Sequence, residues 1–586
     1  MPKQQANSPM QLSSLLSPRA LLVLLIVTLG FIYMGESDGE WMFDDEEQII
    51  YVSRFESAHD SFNVDCFGLF RPTKNLLFYT WTTHWPDNYQ LWRQSAVAIF
   101  LGLVPVAYLF FGLFFDRKPW LQLLCTALWA SAPAVTAVVC WLSATNILVG
   151  MYGFFLYFIF YEKAQLRQQA GHIISAYGWL LLAMLMLASS CFSYEAAMTA
   201  PILLMLKDSV RNFDRLKDKR TWVFFFLSIF TLSLYFLLRR FHGGVTNFYI
   251  VPTIPTDSDL WVSLSSGWIY MIHAIRWIFP FGMQGVLIMF NPENHKVLVF
   301  CSIAVVLGLG ILLLIMRNRN PTLFLSLGWY SIAFFPMANV VPLRNGPICD
   351  YYLLIPGLGL AIFVVWATEL AAKTKIQKWA YGITTIWVLL FCVTTLLWVP
   401  QWTKRKALAE QTLSWQPDNF VIHGIIAKEA VEAGLEVEAM QFLESGMELA
   451  PWYSPLYYSK VMLLMNQEKF GEAEKLLKEL VEIQSHQAQP FVFLAFLYDL
   501  HLGEWEKAEE TLKLALEKPW NNRYSKTAAI NLASIYIKTG RAQFASQIYA
   551  SLLERYPTDA ELLDKSNTLK SMLEKVEADQ TPSDGL

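Results

Sequence analysis

About eleven stretches of this chain, each near the roughly twenty residues that a bilayer-crossing helix needs, carry almost no charge. That habit restricts the fold more than any other feature. Within hydrocarbon every backbone N–H and C=O must be satisfied by the chain itself, so such stretches become helices. They fall at 20–35, 93–115, 119–138, 143–161, 172–190, 192–207, 221–238, 297–316, 321–341, 350–369 and 379–399. Composition agrees: of 586 residues 55% are hydrophobic and 16% charged, mean hydropathy is +0.35, and 22 Trp and 41 Phe are too many for a protein surrounded by water. A net charge of -4 offers no basic surface for nucleic acid. No Gly-rich phosphate loop or Cys/His zinc spacing occurs.

Cytoplasmic loops retain Lys and Arg, which orients the spans. With the N-terminus inside, the basic loops Arg117-Lys118, Lys163 to Arg167, Lys207 to Arg220, Arg317 to Arg319 and Lys373 to Lys378 all fall on the inner side. This requires 260–285, interrupted by Pro280 and carrying His273 and Arg276, to lie along or dip into the outer face without crossing. An odd number of spans then puts the C-terminal part outside. The first apolar run lacks a small-residue cleavage site and reads as an uncleaved span.

After Trp402 apolar residues recur at helical spacing among Glu, Lys and Gln, so a second domain of amphipathic helices is expected over 401–586, following a membrane domain over 1–400. Its segments 417–450, 451–483, 490–518 and 526–557 repeat at roughly 34 residues, the tetratricopeptide length. Each places a glycine between helices (Gly434, Gly471, Gly503, Gly540) and a small residue soon after (Ala439, Ala473, Ala508, Ala545). The expected fold is all-α: a polytopic bundle followed by an α-solenoid.

Just past the first span stand Asp44-Asp45-Glu46-Glu47. Carboxylates at a bilayer surface stay ionised and can take a proton or hold a metal; the plain alternative is a solvated acidic loop. The same topology brings Arg71, Glu195, Arg239, His242, Arg344, Asp350, Tyr351 and Tyr352 to the outer face. Glu195 stands out because a carboxylate in an apolar run has a task or a partner, and the plain alternative is an ion pair with Arg239 or Arg71. Aromatic residues along the first loop (Phe67, Phe70, Phe78, Tyr79, Trp81, Trp85, Tyr89) either stack on a sugar or form an interfacial belt. Cys66 and Cys349 share that side, where an oxidising compartment would join them.

The order of motifs then resembles a family. An Asp-Asp pair after the first helix, Leu69-Phe70-Arg71-Pro72, Trp141-Leu142-Ser143, Ser193-Tyr194-Glu195, Phe335-Pro336-Met337-Ala338-Asn339 and Tyr351-Tyr352-Leu353-Leu354-Ile355-Pro356 resemble the GT-C polytopic glycosyltransferases. Among these the chain looks closest to the transmembrane-and-tetratricopeptide O-mannosyltransferases and their bacterial relatives. In place of a His-Pro-x-His-x-Glu-like stretch it reads Ala132-Pro133-Ala134-Val135-Thr136-Ala137, and in place of Glu-Arg-Tyr it reads Asp350-Tyr351-Tyr352. The resemblance implies transfer of a sugar from a polyprenyl-phosphate carrier to an acceptor, with protein hydroxyls the expected target because the repeats would bind an acceptor protein or peptide. It implies Asp44 or Asp45 as base or as ligand of a divalent cation (Mg or Mn), and Glu195 as a second acid. Arg71, Arg239 and Arg344 would bind the donor phosphate, and His242, Asp350, Tyr351 and Tyr352 would line the pocket.

A second class of function is a non-catalytic membrane scaffold that recruits proteins through its repeats. A transporter is disfavoured by the lack of paired broken helices and of an acid chain through the midplane. The expected location is a bacterial inner membrane with site and repeats in the periplasm, or alternatively the endoplasmic reticulum membrane with both in the lumen.

Overall fold

The computed structural model describes residues 17–35, 39–115, 118–242, 263–280, 295–338, 340, 348–374, 376–520, 524–557 and 559–580. Regular structure among them is helical, and the chain divides into two compact units, Met1–Ile422 and His423–Leu586.

The first unit begins with α1 (Pro18–Met34). The Ser17 hydroxyl accepts the Ala20 N–H, and Pro18 fills a position where no donor is required. Two short helices follow in the first loop, α2 (Asp45–Val52) and α3 (Pro72–His84). The bundle continues with α4 (Tyr89–Phe111), α5 (Pro119–Ser131), α6 (Thr136–Cys140), α7 (Thr145–Gln169), α8 (Ile173–Cys191), α9 (Ala200–Arg211) and α10 (Lys219–Phe241). Then come α11 (Ser266–Ile278), α12 (Lys296–Met316), α13 (Pro321–Phe334), α14 (Pro356–Ala371), α15 (Gln377–Trp398) and α16 (Arg405–Leu413).

Among the described residues six helices are long and apolar enough to cross a membrane: Tyr89–Phe111, Leu142–Gln169, Ile173–Cys191, Lys219–Phe241, Lys296–Met316 and Trp379–Thr403. A seventh is added if Pro119–Ser131 and Pro133–Cys140, bent by 53°, form one broken span. The count of eleven is not reached on these terms, and prolines are part of the reason. Pro133 lacks the N–H that would continue α5. The expected span over 192–207 is a 3-10 turn, Glu195–Thr199, followed by the 12-residue α9 with Pro201 in its first turn. The helices α1, α13 and α14, at 17, 14 and 16 residues, are apolar but short. The 13-residue α11 spans about 20 Å at 1.5 Å per residue, too short to cross alone.

The axis of the unit is α7, buried over most of its length, as expected of a helix apolar on every side. It packs closely on α8 and the residues just after it because two glycines permit it: a Cβ on Gly153 would lie 2.6 Å from the Met186 carbonyl oxygen of α8, and one on Gly150 would lie 2.9 Å from Tyr194 Cβ just past that helix. By contrast α12 buries only Val299 and Ser302 and leaves Val297, Phe300, Leu307, Ile311, Leu314 and Ile315 exposed, a surface suited to lipid.

Polar side chains gather at both ends of α7. Near its start, Asn146 and Ser193 exchange side-chain hydrogen bonds with each other's carbonyls at 2.6 and 2.8 Å. Near its end, Glu162 binds Arg215 at 2.6 Å and Lys207 at 3.1 Å, and Lys207 also binds the buried Asp208 at 3.2 Å. From Ser143 to Glu162 the helical rise is about 28 Å, close to the thickness of bilayer hydrocarbon.

The last helices are α17 (Phe420–Glu432), α18 (Glu436–Leu449), α19 (Ser454–Asn466), α20 (Phe470–Ile483), α21 (Ala488–Leu497), α22 (Trp505–Leu516), α23 (Tyr524–Lys538), α24 (Ala542–Arg555) and α25 (Ala560–Gln580). Consecutive helices pair and stack, as tetratricopeptide units do. Ala439, Ala473, Ala508 and Ala545 are each fully buried, where the second helix of a pair must approach closely. Gly434, Gly503 and Gly540 make left-handed turns with φ of 73°, 68° and 75°. The second pair departs from expectation. Its left-handed residue is Glu468, at φ 57°, and Gly471 lies inside α20.

Candidate functional site

The chain between α1 and α2 turns at Phe43, whose φ of 46° is left-handed. That turn swings Asp45 back, so its Oδ2 accepts the Met42 N–H at 2.9 Å while its Oδ1 accepts the Ser143 N–H at 2.7 Å. Asp45 is fully buried and fastens the acidic loop to the stretch leading into α7. Asp44 is half-buried, and its Oδ1 accepts the Trp141 Nε1–H at 3.0 Å. The two neighbouring acids, equivalent in sequence, are thus separated into an anchor and a more accessible carboxylate. Both are held above the ordinary carboxylate range by burial. The charge of Asp44 adds to this at Asp45, which is pushed up to about 7, while Lys74 and the Ser143 side chain favour ionised Asp44.

Trp141 connects Asp44 to the later loops. Its ring meets Tyr351 edge-on at 5.7 Å, and Tyr351 meets Tyr352 at 4.6 Å. Asp350 is paired with Arg276 of α11 at 2.8 Å. His273, one turn earlier on α11, lies 6.3 Å from the Tyr352 ring and 4.6 Å from Phe334. Asp44, Trp141, Tyr351, Tyr352 and Asp350 therefore form one layer.

Glu195 and Arg71 find each other. Arg71 Nη2 donates to Glu195 Oε2 at 2.7 Å, and its Nε lies 3.1 and 3.0 Å from the two carboxylate oxygens. Expected as a pocket acid and a phosphate ligand, the two form a bidentate ion pair with each other, the plain alternative for Glu195. Beside it, His242 stacks on Phe70 at 5.0 Å, and the Tyr235 hydroxyl lies within electrostatic reach of Glu195, Arg239 and Arg71. Arg239 is buried at the end of α10. Arg344 lies outside the described residues.

Three residues not singled out in the sequence, Lys74, Asp65 and Asn75, belong here. Lys74 is buried against Asp65 at 3.4 Å and acts electrostatically on Asp44. The Asp65 Oδ1 also accepts the Phe67 and Leu69 N–H groups, at 3.0 and 2.9 Å. Asn75, fully buried, donates to the Ser61 and Asn63 carbonyls and closes that loop. The signal was present: Pro72 opens a helix, and Lys74 and Asn75 follow the preceding Arg71 at the three- and four-residue spacing of one helical face.

The first-loop aromatics are mostly core. Phe78 and Trp81 pack with Trp92, Val52, Ala96 and Leu142, and Phe70 is buried under His242. Cys66 and Cys349 are not joined in a disulfide, and burial with Asp65 nearby pushes the Cys66 thiol up to about 12. A divalent cation does not suit the residues present. Both Asp45 oxygens already accept N–H groups and Trp141 donates to Asp44, and no group of three potential ligands forms among the described residues.

No protein-family model matches the chain, and no curated protein does. Among solved structures it is similar to MamA of Desulfovibrio magneticus RS-1, beginning at residue 41, with 13% identity over 33% of this chain and 97% of that one, at a TM-score of 0.22. It is also similar to the thermophilic TPR protein TTC0263 of Thermus thermophilus, with 20% identity over 34% and 98% of the two chains, at 0.23. Pseudomonas aeruginosa PilF shares 16% identity over 43% of this chain and 97% of its own, at 0.23. At such scores the repeat architecture stands on this chain's own paired helices, buried alanines and left-handed turns.

Proposed function

We propose that this chain is an integral-membrane glycosyltransferase of the GT-C kind. It would take a sugar from a polyprenyl-phosphate carrier and pass it to an acceptor hydroxyl, on protein bound by the repeats. The observation that carries the reading is Asp44: a half-buried carboxylate aimed by the Trp141 indole, in a layer with Tyr351, with its charge favoured by Lys74. As the acceptor oxygen forms its bond to the anomeric carbon, the bond from that carbon to the carrier phosphate breaks from the opposite side. The bond pair leaves with the phosphate oxygen, and Asp44 takes the hydroxyl proton. Arg71, paired with Glu195, and Arg239, buried at the end of α10, are the cations proposed for the departing phosphate. No metal step is needed for this balance.

The short apolar helices α1, α13 and α14, with 195–211 crossing as one further broken span, would complete a bundle of about eleven spans. The Lys/Arg-rich end of α7 then faces the cytoplasm, and Asp44 and the repeats face the other side, in a bacterial periplasm or the lumen of the endoplasmic reticulum. The test is transfer of labelled sugar from a panel of polyprenyl-phosphate donors, with Asp44→Asn alongside. The paired helices favour a second reading, a membrane scaffold, for which Asp44→Asn would change nothing.

A further inference from the structure

We propose that Arg276 and Asp350 are positioning residues: their ion pair sets Tyr351 against Trp141 and so fixes the direction in which Trp141 presents Asp44. The inference rests on reading Asp44 as the base. Its support is a continuous set of contacts from a rigid helix to that carboxylate.

The rigid part is α11. The Tyr270 hydroxyl donates to the Ser331 carbonyl at 2.6 Å, and the Tyr330 hydroxyl returns a bond to the Tyr270 carbonyl at 2.5 Å. Trp387 Nε1 donates to the Ile278 carbonyl at 3.0 Å. A Cβ on Gly357 would lie 2.7 Å from Trp277 Nε1, and one on Gly267 would lie 2.9 Å from the Ile303 nitrogen. Held against α12, α13, α14 and α15, α11 has little freedom to rotate or slide. Arg276 leaves this fixed helix and meets Asp350 with its side chain 5% exposed and that of Asp350 14% exposed.

Asp350 is the first residue of the 3-10 turn Asp350–Leu353, so fixing its carboxylate fixes the turn and the ring that follows it. Tyr351 then stands edge-on to Trp141 at 5.7 Å, and Trp141 Nε1 lies 3.0 Å from Asp44 Oδ1. A buried ion pair loses in desolvation about what it gains in attraction, and apolar residues of the same size would serve stability as well. What the pair supplies is direction, and a base displaced by about 1 Å loses about 100-fold in rate.

The test uses the full-length protein with 5-fluorotryptophan installed at position 141, read by fluorine resonance, together with transfer assays. Asp44→Asn establishes how far the resonance moves when its acceptor changes. The double variant Arg276→Gln with Asp350→Asn leaves no unpaired buried charge and should fold. It is expected to shift or broaden the Trp141 resonance and to lower kcat about 100-fold with KM little changed, whereas Arg276→Lys should retain both. An unchanged Trp141 resonance in the folded double variant overturns the proposal. If the wild type transfers no sugar, the glycosyltransferase reading fails, and the resonance still decides whether the pair positions Trp141.

Discussion

Asp44 and Asp45 should part company on mutation. Asp45→Asn places an amide N–H against one of two backbone donors and should cost about 1–3 kcal/mol of stability, measurable as a lower midpoint of thermal unfolding in detergent. Asp44→Asn should leave that midpoint nearly unchanged while reducing transfer about 100- to 10,000-fold. Their pH responses run in opposite directions. Folded Asp45 holds its proton to about 7, whereas an unfolded Asp releases it near about 4. The contribution of Asp45 to stability is therefore greatest below about pH 4 and is lost as pH rises through about 7. Transfer, which needs ionised Asp44, should rise with pH above the ordinary carboxylate range, because burial raises the Asp44 carboxyl, and a pH–rate profile in the same detergent checks it. Chelation should leave transfer intact, because no group of three potential metal ligands forms among the described residues. The acidic run was visible in the sequence, but the division of labour within it was not. It depends on the left-handed Phe43 and on the Ser143 N–H, 98 positions further along the chain from Asp45. Glu195 was legible as a residue with a task or a partner, and only the fold identified the partner as Arg71.

At the scale of elements, helix type and order were largely readable because apolar runs of bilayer length have few alternatives. Lengths were less so: Pro133 and Pro201 break stretches whose composition alone looked continuous. The repeats show the same limit. Three of four glycines occupy the left-handed turn, but Glu468 takes that place in the second pair, since a turn needs a conformation that glycine favours without monopolising. Close helix contact offers a sharp test. Gly153→Ala would push a methyl to 2.6 Å from the Met186 backbone, which cannot move cheaply, and should destabilise the protein by about 1–3 kcal/mol. Gly308→Ala, with nothing within 4 Å, should be neutral or slightly stabilising. Comparison of their unfolding midpoints checks the α7–α8 packing.

For the whole molecule, the reading joins a helical bundle with polar layers at both ends of α7 to a chain of stacked helix pairs. Under the proposed function, the bundle would hold the carrier phosphate and the helix pairs would bind the acceptor. The scaffold reading uses only the helix pairs and leaves the arrangement around Asp44 without a task. The decisive measurement is single-turnover transfer from radiolabelled polyprenyl-phosphate sugars to an extract of outer-compartment proteins, by purified wild type and by Asp44→Asn with the same unfolding midpoint. Label appearing on protein with the wild type and lost by at least about 100-fold in the variant is the expected result. Equal label with both proteins, or none with any donor from folded wild type, would contradict Asp44 as the base of a glycosyltransferase.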